Sequence, residues 1–394
     1  MKKTLIALAA LAATGAAFAQ SSVTISGLFD VGYGAVNAPA NALGVQTGDI
    51  SRVAQNGSAT TSINIAGTED LGGGMRANFR YEINPDLVNG AGFTGGAGTT
   101  AGSGAVQYGN GGVHQSFLGV QGGFGNVRLG RINTGTLAAW GTGSVFGTAL
   151  GSGFGASGIF ARSVPSSGST YFNTAPTRFN NSVDYTSPTI NGFTARLQYV
   201  PQVNKAAGFG SENACTAAAC AAETTAAAGA NRAGATDISL AYNKGPLNAM
   251  VAQQSVKIGS GDVNALVAPN HQSTASSNYE ITIAAANYQI GAARVFASTW
   301  TEKMGTTFNA SSYSLGANYV MGAYTFAASM ANNNDKTATN ADRKIVGLGV
   351  DYALSKRSAL YARYESRDAN KNLAADTAAA GVTKTTHVGV RHTF

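Results

Sequence analysis

The side chains whose type and placement could do chemistry in this chain are arginines. Between Leu87 and Val183 there is no Asp or Glu, yet Arg128, Arg131, Arg162 and Arg178 all fall in that window. Upstream stand Arg52, Arg76 and Arg80, and downstream Arg196. A guanidinium is charged at every physiological pH and presents five donors with no acceptor. Rows of them without opposing carboxylates attract and steer anions. Nothing comparable points to catalysis. His114, His271, His387 and His392 lack metal-ligand spacing, and no nucleophile with a partner base is evident. Gly153-Phe154-Gly155-Ala156-Ser157-Gly158 matches G-x-G-x-x-G but has no βαβ context. Asn332 to Lys336 could hold calcium and reads more simply as a solvated turn. No cofactor and no metal is expected.

What must position the arginines is a set of strands. The chain has 394 residues, of which 11% are charged, against about 25% in ordinary soluble domains. Fifty-one glycines, 44% hydrophobic residues and a mean hydropathy of −0.01 exclude typical disorder. No apolar run of about 18 residues suggests a spanning helix. The net charge of +7 is unclustered, so nucleic acid is not expected as a partner. Met1-Lys2-Lys3, the apolar stretch Leu5–Ala13 and Ala17-Phe18-Ala19 read as a secretory signal peptide over residues 1–19. Residues 20–394 then form the exported protein.

Period-2 alternation recurs along that part. Met75, Ala77, Phe79, Tyr81 and Ile83 alternate with Arg76, Asn78, Arg80, Glu82 and Asn84. Phe179, Val183 and Tyr185 oppose Arg178, Asn180, Ser182 and Asp184, and Leu197 and Tyr199 oppose Arg196 and Gln198. Val388, Val390, His392 and Phe394 end the chain on one face. Seven short turns alternate with eight longer loops, the longest at 133–177, which joins sixteen strands. Such rhythm predicts an all-β fold, a transmembrane antiparallel barrel with short periplasmic turns and long external loops. A soluble sandwich would not put arginines on one strand face and terminal aromatics on the other. A solenoid would need a fixed repeat, and none is found.

On these residues the chain resembles the Gram-negative general porins of the beta-proteobacterial branch. The matching pieces are Ser22-Val23-Thr24-Ile25-Ser26-Gly27, the turn Gly67 to Gly74, Leu129-Gly130-Arg131, Arg178 to Tyr185 and His392-Thr393-Phe394. The resemblance implies a sixteen-stranded barrel in the outer membrane, a homotrimer, and a third loop folded into the pore. It also implies that Phe394 is the signal read by the outer-membrane barrel assembly machinery. General porins oppose arginines with acids on the third loop, and here 133–177 has Arg162 as its one charged residue.

The expected function is therefore a passive, water-filled channel for small hydrophilic solutes and ions, anion-selective through Arg76, Arg80, Arg128, Arg131, Arg162, Arg178 and Arg52. Arg131 has lipid-facing parity, so alternation opposes its inclusion. The family's Gly-Arg pair favours it, and a β-bulge would re-aim it. Asp30, Glu82 and Asp184 are lumen acids expected to pair with the arginines. Export favours a disulfide between Cys215 and Cys220. The alternatives are a channel selective for organic acids, phosphate or sugars, and, from another class, a barrel enzyme or adhesin.

Overall fold

The computed structural model describes residues 22–37, 50–88, 112–147, 149–152, 164–166, 169–171, 177–204, 232–258, 277–304, 308–336, 340, 342–369 and 381–394. The expected leader 1–19, Arg162, Cys215 and Cys220 lie outside the described residues. Among the described residues, nineteen strands and one helix follow in the order β1 (Ser22–Asn37), β2 (Ile50–Gln55), β3 (Ser62–Gly72), β4 (Met75–Asn84), β5 (Gly112–Gly122), β6 (Gly125–Asn133), α1 (Gly135–Gly143), β7 (Val164–Ser166), β8 (Ser169–Tyr171), β9 (Arg178–Thr186) and β10 (Phe193–Asn204). The rest are β11 (Arg232–Lys244), β12 (Leu247–Ile258), β13 (Ser277–Ile290), β14 (Ala293–Met304), β15 (Phe308–Met321), β16 (Tyr324–Asp335), β17 (Arg343–Ala353), β18 (Ser358–Ala369) and β19 (Gly381–Thr393).

Every pairing in the large sheet is antiparallel between neighbours, and β19 pairs with β1 to close the ring. β2 and β3 pair with the upper and lower parts of β1, so they are two pieces of one stave. The result is a closed barrel of sixteen staves. The last residue completes the seam. The Gly27 amide donates to the Phe394 carbonyl at 2.9 Å and the Phe394 amide to the Gly27 carbonyl at 3.0 Å. The Phe394 ring packs edge-on against Phe29.

Alternation decides which side chains face out. Val23, Ile25, Leu118, Leu129, Ile238, Leu315 and Val388 are exposed on the outer surface, a band of large apolar side chains with no protein partner. Such a band is stable in hydrocarbon, where a closed ring is also required because no strand edge can be left unpaired. Near the short turns the outer face carries Phe124, Tyr185, Phe193, Tyr288, Tyr319, Tyr324 and Tyr352, the aromatic girdle of an interface. All seven expected turns are hairpins. Gly245, Gly291 and Gly322 stand first in two-residue turns at φ +61°, +57° and +60°, a conformation that costs glycine little.

Three loop assignments need correction. Residues 50–55 form β2 rather than loop, because Val53 and Ala54 continue the alternation opposite Tyr33 and Gly32. Asn332 to Asp335 are the end of β16, with the Asn333 side chain donating to Ser312 Oγ at 2.6 Å. The stretch 133–177 contains α1 and the β7–β8 hairpin.

Candidate functional site

The lumen has two unlike walls. Over β10 to β15 and β17 the inward side chains include Val200, Ala235, Ala252, Val256, Ile281, Ile283, Trp300, Ala310 and Ile345, all buried. Ala139 and Trp140 of α1 join them in one apolar cluster, and α1 packs on β11 to β14. A water-filled barrel has a polar inner face; here the inner face of β11 to β14 is apolar in part because α1 covers it. Each large side chain fully buried there contributes about 1.5–3 kcal/mol.

Polar contacts fix both ends of the inserted segment. Asp237 on β11 is fully buried; its carboxylate accepts from the amides of Gly135 at 2.9 Å and Thr136 at 3.0 Å, and from the Thr136 hydroxyl at 2.6 Å. A carboxylate at a helix N-terminus also meets the positive end of the helix dipole. Gly135 is needed there, since a Cβ would lie 2.4 Å from Asp237 Oδ1. Farther on, the Gly151 amide donates to Glu365 at 2.8 Å and Ser329 donates to the Gly151 carbonyl at 2.5 Å. Phe146 lies under the guanidinium of Arg363 at 5.2 Å. The inserted chain thus follows the inner wall from β6 round to β18.

The slot for its far end is made by glycine. A Cβ on Gly347 would meet the Gly151 carbonyl oxygen at 2.4 Å and its Cα at 2.6 Å, both backbone atoms with little room to retreat. Gly347→Val should therefore displace residues 149–152, at a cost of about 1–3 kcal/mol from overpacking. The expected readout is a changed single-channel conductance with added open-channel noise, in a barrel that still shows heat-modifiable mobility on gels. A steady wild-type conductance would mean the slot does not control this segment.

The opposite wall, β4 to β6 with β9 and β10, carries the arginines. Arg80 donates to Asn64 Oδ1 at 2.6 Å and pairs with Glu82 at 2.9 Å. Glu82 also accepts from Gln115 at 2.9 Å and lies 3.4 Å from Nδ1 of His114. Arg178 Nη2 stands 3.1 Å from that same nitrogen. Arg131 donates to the His114 carbonyl at 3.1 Å and to the Asn180 side chain. Arg80 thus pairs directly with Glu82, while Arg131 and Arg178 meet His114, the neighbour of that carboxylate. Toward the turns, Asp184 is fully buried between Arg128, whose Nε is 2.9 Å away, and Arg196, at 2.5 Å. Gly119 leaves the space that the Arg128 stem fills.

The pairing of β6 with β9 slips between Gly130 and Ile132, where Arg131 alone stands opposite Asn180 and Asn181. The extra residue is on β9, with Asn181 at φ +52°, and it turns Phe179 inward into the apolar cluster rather than toward lipid. β6 itself keeps its parity, Leu129 exposed and Ile132 buried, so no bulge on β6 re-aims Arg131. Its guanidinium reaches His114 and Asn180 from beside Gly130, which adopts φ +140°.

The other expected residues lie elsewhere. Arg76 is exposed at the turn end, paired in register with Asp70, four residues and about 13 Å along β4 from Arg80. Arg52 is exposed near the loop end of β2, opposite Gly34. Asp30 does not pair with an arginine: its carboxylate accepts from the amides of Ser58 and Ala59 and from Tyr361. Sequence reading missed Arg363 and Arg391, which meet Asp351 at 2.8 and 3.4 Å. The alternation of Tyr361, Arg363, Glu365 and Arg367 on β18 was the available signal.

Comparison with known proteins follows the same lines. A family model described as Gram-negative porin matches residues 4–372. Outer membrane porin protein 32 of Delftia acidovorans is 30% identical, with all of both chains covered. An outer membrane porin protein of Bordetella pertussis is 28% identical over the full length of both. Among solved structures, an anion-selective porin from Comamonas acidovorans superimposes with a TM-score of 0.68 at 23% identity, covering 95% of this chain and 100% of that one.

Proposed function

The chain belongs to the Gram-negative porin family, an outer-membrane channel rather than an enzyme, and on that premise we propose that its pore passes small hydrophilic solutes and prefers anions. The observation that carries the preference is the charge balance of the arginine wall. In its two clusters the guanidinium groups of Arg80, Arg128, Arg131, Arg178 and Arg196 number five against the two carboxylates of Glu82 and Asp184, a surplus of three. A unit charge 5 Å from a permeating ion is worth about 0.8 kcal/mol at the permittivity of water and about 3 kcal/mol at an effective ε of 20. Three such charges favour an anion over a cation by more than about tenfold. Rings of Arg and Lys are the usual device of anion pores. The name of the Comamonas relative is consistent with this reading.

The segment beginning at 133 narrows the pore from the other side, and the functional unit is a homotrimer, as in a similar outer-membrane protein of Vibrio cholerae described in a trimer form. Residues 1–19 direct export, and Phe394 serves recognition during outer-membrane assembly.

The deciding measurement is the zero-current potential of the purified protein in a planar bilayer under a KCl gradient. Its sign should show chloride as the more permeant ion. The potential should shrink as salt rises, because screening shortens to about 3 Å at 1 M. A potential of the cation-selective sign would overturn the arginine-wall reading.

A further inference from the structure

The stave formed by β2 and β3 is longer than its partner. Ser62 pairs with Leu28 and Gln55 with Val31. Between those pairs β1 has two residues, Phe29 and Asp30, while the stave has six, 56–61. Four residues, Gly57 to Thr60, therefore have no counterpart. Asn56 makes the exit at φ +68°, donating its amide to the Asp30 carbonyl at 3.1 Å. Thr61 makes the return, its hydroxyl accepting the Asp30 amide at 3.1 Å.

The surplus residues turn into the lumen, as their neighbours show. A Cβ on Gly57 would touch the ring of His387, an inward residue of β19. Ser58 Oγ accepts from Arg363 at 3.0 Å and Arg391 at 3.4 Å, inward residues of β18 and β19. The Asp30 carboxylate takes the Ser58 and Ala59 amides at 2.7 and 2.6 Å, and Tyr361 donates to its other oxygen. A buried charge accepting three hydrogen bonds holds a loop firmly, since charge-assisted bonds are about twice as strong as neutral ones. Ser58 is buried by these contacts, whereas Thr60 stays exposed. Arg363 also lies over Phe146, so one guanidinium spans this insertion and the segment that carries α1.

We propose that Gly57–Thr60 is a second pore-narrowing element, held inward by Asp30, Arg363 and Arg391, and that Thr60 borders the permeation path. The inference rests on the porin reading of the chain but not on its ion preference. It makes the narrow part of the pore the space left between two inserted segments and the arginine wall.

The test is deletion of Gly57–Thr60, joining Asn56 to Thr61. Because four residues are removed, the inward and outward parity of the stave is preserved. Single-channel conductance in KCl should rise by on the order of 1.5-fold, and proteoliposomes should swell faster in larger neutral sugars. The sign of the zero-current potential should stay as in the parent protein, so a wrong ion preference would show there and a wrong insertion would show in conductance. A folded deletion variant with parental conductance overturns the proposal. Should the deletion prevent folding, Thr60→Trp adds bulk at the exposed position without touching the anchors. That variant should lower conductance and slow sugar entry, and parental values in it overturn the proposal equally.

Discussion

Replacing Arg80, Arg131 and Arg178 together by glutamine should cut the chloride-over-potassium permeability ratio by more than about tenfold, read as zero-current potential in a planar bilayer. Arg80 pairs with Glu82, and Arg131 and Arg178 both bond to His114 beside it. Their removal leaves Glu82 as the charged group of that cluster and turns its local field from positive to negative. At about 0.8 to 3 kcal/mol per charge, even the lower value summed over three exceeds the 1.4 kcal/mol that a factor of ten requires. Glutamine retains a donor for Asn64, Asn180 and the His114 carbonyl, so the wall should keep its shape. Arg128→Gln alone should do less, since Asp184 remains paired with Arg196. If the triple variant keeps the parental potential, selectivity resides on another wall.

How much of this was legible beforehand depended on where the backbone obeys alternation. Met75–Asn84 and Arg178–Thr186 are strands with the expected bounds; the first alternates throughout between a lipid-compatible face and a polar one, the second from Ser182 onward. Alternation failed where the chain leaves the wall. Asn181 takes a positive φ where β9 carries an extra residue opposite Arg131, and on β9 inward and outward exchange there. Only the family's Gly-Arg pair, not periodicity, could have placed Arg131. β2 was hidden because six residues separated from β3 by an insertion give too few alternations to register. The apolar lumen wall did leave a trace. In Ile281-Thr282-Ile283-Ala284-Ala285-Ala286 both strand faces lack charge, the pattern of a strand covered on both sides.

The same geometry explains how one barrel combines a lipid-facing outside with an inside that is apolar on one flank. An inward face kept wet would need polar side chains on every stave. Here the staves that seat α1 are dry, and their water-exposed duty passes to the inserted segment. The arginine wall is left as a charged surface facing the remaining space, beside the Arg363, Arg391 and Asp351 group of β17 to β19. On the proposed function, size and charge discrimination are separable: inserted segments would set the first, and β4, β6, β9 and β10 the second.

Asp237→Ala should release α1 and give a noisier, larger single-channel conductance while the barrel itself survives. α1 has nine residues, three of them glycine, and a helix so short and glycine-rich has no stability of its own. Its shape depends on what it touches. Removing the carboxylate strands the Gly135 and Thr136 amides and the Thr136 hydroxyl, which are buried and bonded to it. Leaving a buried donor without its acceptor costs about 1–3 kcal/mol, and three such donors together cost more than the burial of Trp140 contributes at about 1.5–3 kcal/mol. The strand ladder on either side of Asp237 is made by backbone groups and does not need its side chain. Heat-modifiable mobility should therefore be retained, while added protease cuts faster within 133–177. Asp237→Asn, which keeps one acceptor, should fall between the two. A quiet channel of parental conductance in the alanine variant would show that the apolar contacts alone hold the helix, and that the carboxylate is a passenger.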